Sequence, residues 1–178
     1  SPGAVTPLSG SSTAANASGG ASYVVSDTTA PGTHALSQSF TVPGNAVSVA
    51  LSFQMFVNDQ SGAGPIVDPI GLDHTGPSNQ HARVDLLAAG SSPFDTGAGV
   101  VANYYLSVDP GATPKSYTTY NIDLTGTALP NTSYILRFAE VDNQGLLNQG
   151  IDNVSIISTS AEDNLFESYR FNNEQGYG

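Results

Sequence analysis

Hydrophobic and polar residues alternate with a period of two through most of this chain. In the clearest run, VSVALSFQMFVND, Val49, Leu51, Phe53, Met55 and Val57 share one face while Ser48, Ala50, Ser52, Gln54 and Asn58 share the other, with Phe56 the exception. A strand covered on one side reads this way. The period recurs in SYVVSD, ALSQSFTV, HARVDLLAAG, VVANYYLSVD, SYTTYNIDL, SYILRFAEVD, GIDNVSIIS and LFESYRF. No window carries helical periodicity with caps. Pro-Gly pairs in APGTH, VPGNA and DPGAT predict type II turns. Short strands punctuated in this way predict an all-β fold, two antiparallel sheets packed face to face as a jelly-roll-like β-sandwich, with an α+β fold as the competitor.

The 178 residues suffice for one domain with a core of its own. Residues 1–21 form a Ser/Gly/Ala-rich leader that buries too little apolar surface to order itself. The sandwich is expected over 22–160, and 161–178 is a tail with a candidate strand. Between Asn58 and Gln80 lies one long irregular stretch, carrying Asp59, Asp68 and Asp73; loops of that size are usually functional or held in place. Cysteine is absent, which excludes disulfides and thiolate metal sites. Four Lys and Arg against fifteen Asp and Glu give a formal charge of -11, which argues against nucleic acid and anionic lipid and in favour of cations or neutral sugars. No apolar run is long enough to insert in a membrane. The opening SPGAV, without Met, reads as a mature product whose targeting segment has been removed.

Acids crowd the stretch EVDNQGLLNQGIDNVSI. Alternation in YILRFAEVD places Tyr134, Leu136, Phe138, Glu140 and Asp142 on one face, so two carboxylates continue a core-facing row. A buried carboxylate needs a cation or several donors. Arg83, backbone N–H groups and a metal are the candidates. The first reading is a structural polar network of Arg83, Glu140, Asn143 and Asn153 that secures the loops. A second reading is structural Ca²⁺, which accepts carboxylate and amide oxygens, with Asp142 and Asp152 as ligands and Asp27 or Asp59 completing the shell. No organic cofactor is expected. Catalysis ranks last: Glu140 and Asp142 would stand about 7 Å apart along a strand, a distance a glycosidase pair could use. His34, His74 and His81 are scattered, and no nucleophile elbow or phosphate-binding loop occurs.

The segments PGTHALSQSFTVP, VALSFQMFVND, NQHARVDLL, FDTGAGVV and LRFAEVDNQGLLNQGIDNVSI, in this order, resemble secreted bacterial β-sandwich proteins that commonly carry a C-terminal PEP-CTERM sorting signal. The resemblance covers about Tyr23 to Ser158 and implies an extracellular or cell-surface bacterial protein in the company of exopolysaccharide. GIDNVSI is also similar to the last strand of galactose-binding-like jelly rolls, where an acid at the position of Asp152 often joins a structural calcium site. In that family an early FE strand supplies another ligand, and this chain has none. Where the sorting tail would stand, the sequence is AEDNLFESYRFNNEQGYG, so anchoring by that route is not expected.

Two non-catalytic functions follow. The first is a self-assembling subunit of an extracellular filament or biofilm matrix, in which Leu165, Phe166, Tyr169 and Phe171 form a strand donated to the sheet edge of the next copy. The alternative is a carbohydrate-binding module, with Tyr104, Tyr105, Tyr117 and Tyr120 as an aromatic platform for exopolysaccharide.

Overall fold

A computed structural model describes residues 6–7, 23–26, 31–59, 61–62, 64–67, 71–107 and 116–161. Nine strands run in chain order: β1 (Thr6–Pro7), β2 (Tyr23–Ser26), β3 (Gly32–Thr41), β4 (Ala46–Asp59), β5 (Gln80–Ala88), β6 (Val100–Leu106), β7 (Thr118–Asp123), β8 (Ser133–Asp142) and β9 (Leu147–Ser160). Eight of them follow the alternating segments of the sequence. The exception is β1, which lies in the leader expected to stay disordered and pairs with β2. LFESYRF lies outside the described residues.

The strands form two antiparallel sheets, one in the order β1-β2-β9-β4-β7 and one in the order β3-β8-β5-β6. Strands alternate between the sheets from β2 to β5, which is the wrapping of a jelly roll. Val49, Leu51, Phe53, Met55 and Val57 of β4 meet Ala82, Val84, Leu86, Leu136 and Phe138 between the sheets, and all are buried. The Phe53 ring stacks on Tyr120 at 4.9 Å and meets the Phe138 ring edge-on at 5.1 Å. Phe56, on the outer face, is buried because Gly150 lies opposite it and Tyr117 packs edge-on to it at 5.0 Å.

The Pro-Gly pairs depart from the expected turn. Gly44 and Asn45 are the central residues of a turn closed by Ala46 N–H donating to Pro43 O at 3.1 Å, and Gly44 does not take a positive φ. Its lack of a side chain is needed for another reason: a Cβ there would lie 2.4 Å from the Asn131 amide. Gly32 simply opens β3, and DPGAT lies outside the described residues.

Candidate functional site

At the end where β4 and β8 finish and β5 and β9 begin, the crowded acids and amides lock loops together. The Asp59 carboxylate accepts hydrogen bonds from Ser61 N at 2.9 Å, Ser61 Oγ at 2.6 Å and Gln80 Nε2 at 3.1 Å. Gln80 also donates to Gly145 O, and its own oxygen accepts from Gln144 N. Asn143 is the pin between loops: its side chain accepts from Asn79 N at 2.7 Å and donates to Pro77 O at 2.8 Å. Asp142 accepts from Gly32 N at 2.9 Å, fixing the start of β3. Asn143 is thus bonded to Asn79, His74, Pro77 and Gln144 and to none of Arg83, Glu140 and Asn153, and Asn153 sits elsewhere.

One expected partnership is corrected. Glu140 is paired with His34 Nδ1, not with Arg83, because Glu140 stands opposite His34 and Ala82 while Arg83 stands opposite Ala139 and faces the other side of the sheet. Arg83 instead binds Asp85 through Nε at 2.7 Å and Nη2 at 2.9 Å. Asp85 also takes Asn103 Nδ2 at 2.8 Å and the guanidinium of Arg137, whose Nη1 reaches Pro93 O at 2.7 Å and Asp95 O at 2.6 Å. Burial pushes the Asp85 carboxyl up, but the Arg83 hydrogen bond, the Arg137 charge and the Asn103 amide outweigh it and leave the group below its ordinary value. Arg137 escaped sequence reasoning, although a lone Arg within an apolar strand was itself the signal.

Those bonds pin the 89–99 loop over the outer face of the β3-β8-β5-β6 sheet. Leu72, from the loop before β5, covers the same face beside Ala139 and Val141. His81 is fully buried there, its Nδ1 at 2.9 Å from Asn79 Oδ1, and burial together with the Arg83 charge lowers its pKa to about 4. This sheet thus has no accessible outer surface around its central strands.

Among the described residues, the predicted metal ligands Asp59, Asp142 and Asp152 do not gather at one site. Asp152 stands opposite Gln54, and Asp59 opposite Leu147, five residues and so about 17 Å along β4. Asp142 belongs to the other sheet. Among the described residues no three His, Asp or Glu side chains gather as a metal site. Asp27 lies outside the described residues, as do Leu165, Phe166, Tyr169 and Phe171. The Glu140 and Asp142 pair is buried and bound to His34 and Gly32, with no cleft among those described opening onto it.

The tyrosines separate. Tyr104, Tyr105 and Tyr120 pack against the core at the β6–β7 flank, where Tyr105 meets Tyr120 edge-on at 6.0 Å. They fill a seam and make no platform. Tyr117 lies apart from them, half-buried with its ring edge-on to Phe56 on the outer face of the larger sheet. That face is built from Thr119, Asn121 and Asp123 of β7, Ser48, Ser52 and Gln54 of β4, and Asn153, Ser155, Ile157 and Thr159 of β9, all exposed or half-exposed. Asn153 reaches it through a β-bulge: Ser52 stands opposite Ser155 but Gln54 opposite Asp152, and the extra residue takes φ 52°. Its Nδ2 donates to Gln54 Oε1 at 2.6 Å, and Gln54 Nε2 donates to Thr119 Oγ1 at 3.3 Å, so an amide row crosses three strands.

Among the described residues, the molecule is thus a jelly-roll sandwich with one outer face covered by loops and the other polar, exposed over the positions named and without Lys or Arg. No protein-family model matches the chain, and no curated protein gives a significant match to it. Among solved structures it is similar to the enzymatically active domain of tailspike protein 4 of bacteriophage CBA120, with a TM-score of 0.47 at 15% identity, over 87% of this chain and 18% of that one. It is similar also to a CBM4 structure, with a TM-score of 0.43 at 11% identity, over 80% of this chain and 86% of that one. The chain spans less than a fifth of the tailspike domain's length. At these identities neither likeness says what this chain binds.

Proposed function

We propose that the chain is a non-catalytic carbohydrate-binding module of a secreted bacterial protein, and that it lays a neutral polysaccharide across the open face of the larger sheet. The observation that carries this reading is the Asn153–Gln54–Thr119 row, held in place by its own hydrogen bonds beside Tyr117. Sugar hydroxyls need donors and acceptors fixed in advance, because ordering flexible side chains would cost affinity. An aromatic ring at the end of such a row offers an apolar surface to a pyranose face. The acidic charge of the chain disfavours uronate or sulfated polymers.

Affinity electrophoresis through gels containing neutral polysaccharides tests the assignment. Retardation should occur with at least one neutral polymer and not with alginate. Gln54→Ala and Tyr117→Ala should each weaken it about tenfold, roughly 1.4 kcal/mol. Migration indifferent to every neutral polymer, or retardation unchanged in both variants, would refute sugar binding at this face. A second reading, self-assembly by strand exchange, is favoured by a separate feature, the open flank between β3 and β9.

A further inference from the structure

On the β3 side of the sandwich two strand edges lie next to each other. Among the described residues β3 pairs only with β8, along all ten of its residues and without a register shift. Among the described residues β9 pairs on its outer side with β2 over 148–151, and 153–159 have no neighbour on that side. The inter-sheet seam between these edges is open. One cleft, of about 460 Å³, is lined by Leu36, Gln38, Phe138, Ile151 and Val154. A second, of about 180 Å³, is lined by Phe40, Val42, Val49, Ile156 and Ser158. On the opposite flank Tyr105 and Tyr120 pack against the core and meet edge-on.

Exposed edges are ordinarily guarded by charges, proline or bulges, because unpaired N–H and C=O groups recruit other strands. Neither GTHALSQSFT nor NVSIIST contains Lys, Arg, Asp, Glu or Pro, and the one bulge on β9 lies at its Asn153 end. An unguarded pair of edges beside an apolar seam suits an added strand whose alternate side chains enter the seam. Leu36 lines one cleft and Phe40 the other, four residues or about 13 Å apart along β3. Leu165 and Tyr169 have the same spacing and fall on one face of an extended segment. No Gly or Pro occurs from 161 to 175, so nothing in the segment interrupts a continuous strand.

We infer that the flank between β3 and β9 is an acceptor site for residues 165–171 of a second copy of this chain, with Leu165 in one cleft and Tyr169 in the other. The contact is head to tail and propagates without closing.

Light scattering and electron microscopy of the full chain test this, together with three variants. The full chain should form concentration-dependent oligomers. Deletion of Asn164–Gly178 should yield monomers that melt at the same temperature as the full chain. Val154→Lys, which spoils the acceptor, and Tyr169→Lys, which spoils the donor, should each be monomeric alone and form only a heterodimer when mixed. A monomeric full chain, oligomers that survive the deletion, or a mixture that stays monomeric would overturn the inference. So would slow hydrogen exchange at the 154–159 amides in the truncated monomer that exceeds what pairing with β4 explains, because a strand of the same chain would then occupy the edge.

Discussion

Individual residues carry the pH response. His81 is buried neutral, with its pKa lowered from 6.5 to about 4 by burial and by Arg83, against the opposing influence of Asp85. Between these values the unfolded chain binds a proton that the folded chain does not, so stability is whole above about pH 6.5 and declines as pH falls toward 4. The shift corresponds to about 3 kcal/mol at most. Urea titrations at pH 7 and pH 4.5 should show this loss in the native chain and a smaller one in His81→Gln. Asp85 acts in a lower window: its depressed pKa gives stability that is present above the ordinary carboxylate range and lost only as pH falls through the folded value. Asp85→Asn keeps the shape but strands Arg83 and the fully buried Arg137 without their anion. Removal of one partner from a buried charge cluster costs about 3 to 5 kcal/mol. Thermal melting should show that loss, and Arg137→Met in the same chain should recover part of it.

At the scale of elements, β9 is governed by two local departures from regularity. Gly150 lies under the Phe56 ring, and a Cβ there would approach Phe56 Cε1 to 2.1 Å. Gly150→Ala should therefore cost about 1 to 3 kcal/mol through overpacking. Phe56→Leu combined with it should relieve the cost, which a double-mutant cycle by denaturant melting would measure. Asn153 holds the bulge at φ 52°, where β-branched residues are strained. Asn153→Val should destabilise by about 1 to 2 kcal/mol, whereas Asn153→Gly should keep the backbone and free Gln54. Strand positions and their buried faces were legible in the chain because alternation is a local property, read within a window of ten residues. The bulge was not, since NVSI alternates no less well on either side of it. The leader strand β1 was missed for a related reason: Thr6–Pro7 has no pattern of its own and takes its conformation from β2.

For the whole molecule, the described acids that suggested calcium, Asp59, Asp142 and Asp152, each accept hydrogen bonds from protein donors. EGTA should leave the melting midpoint unchanged; a fall of several degrees would reveal a bound cation and direct attention to Asp27. Of the candidate sites, the sequence marked the loop after β8 as crowded with acids and amides, but it did not separate Tyr117 from the other tyrosines or show which outer face the loops cover. A face is sealed when loops from distant parts of the chain fold over it, as the Arg137 contacts with Pro93 and Asp95 show.

Alternation alone settled that this chain makes strands, where eight of the nine described ones lie and, away from the β9 bulge, which side enters the core, because side chains in an extended backbone must point to opposite sides in turn. Only the tertiary structure settled which charges meet. Asp85 and Arg137 are 52 residues apart in the chain, and His34 and Glu140 are 106 apart. Such pairs are decided by strand register and sheet order, and a one-residue slip in either would have turned Arg83 toward Glu140.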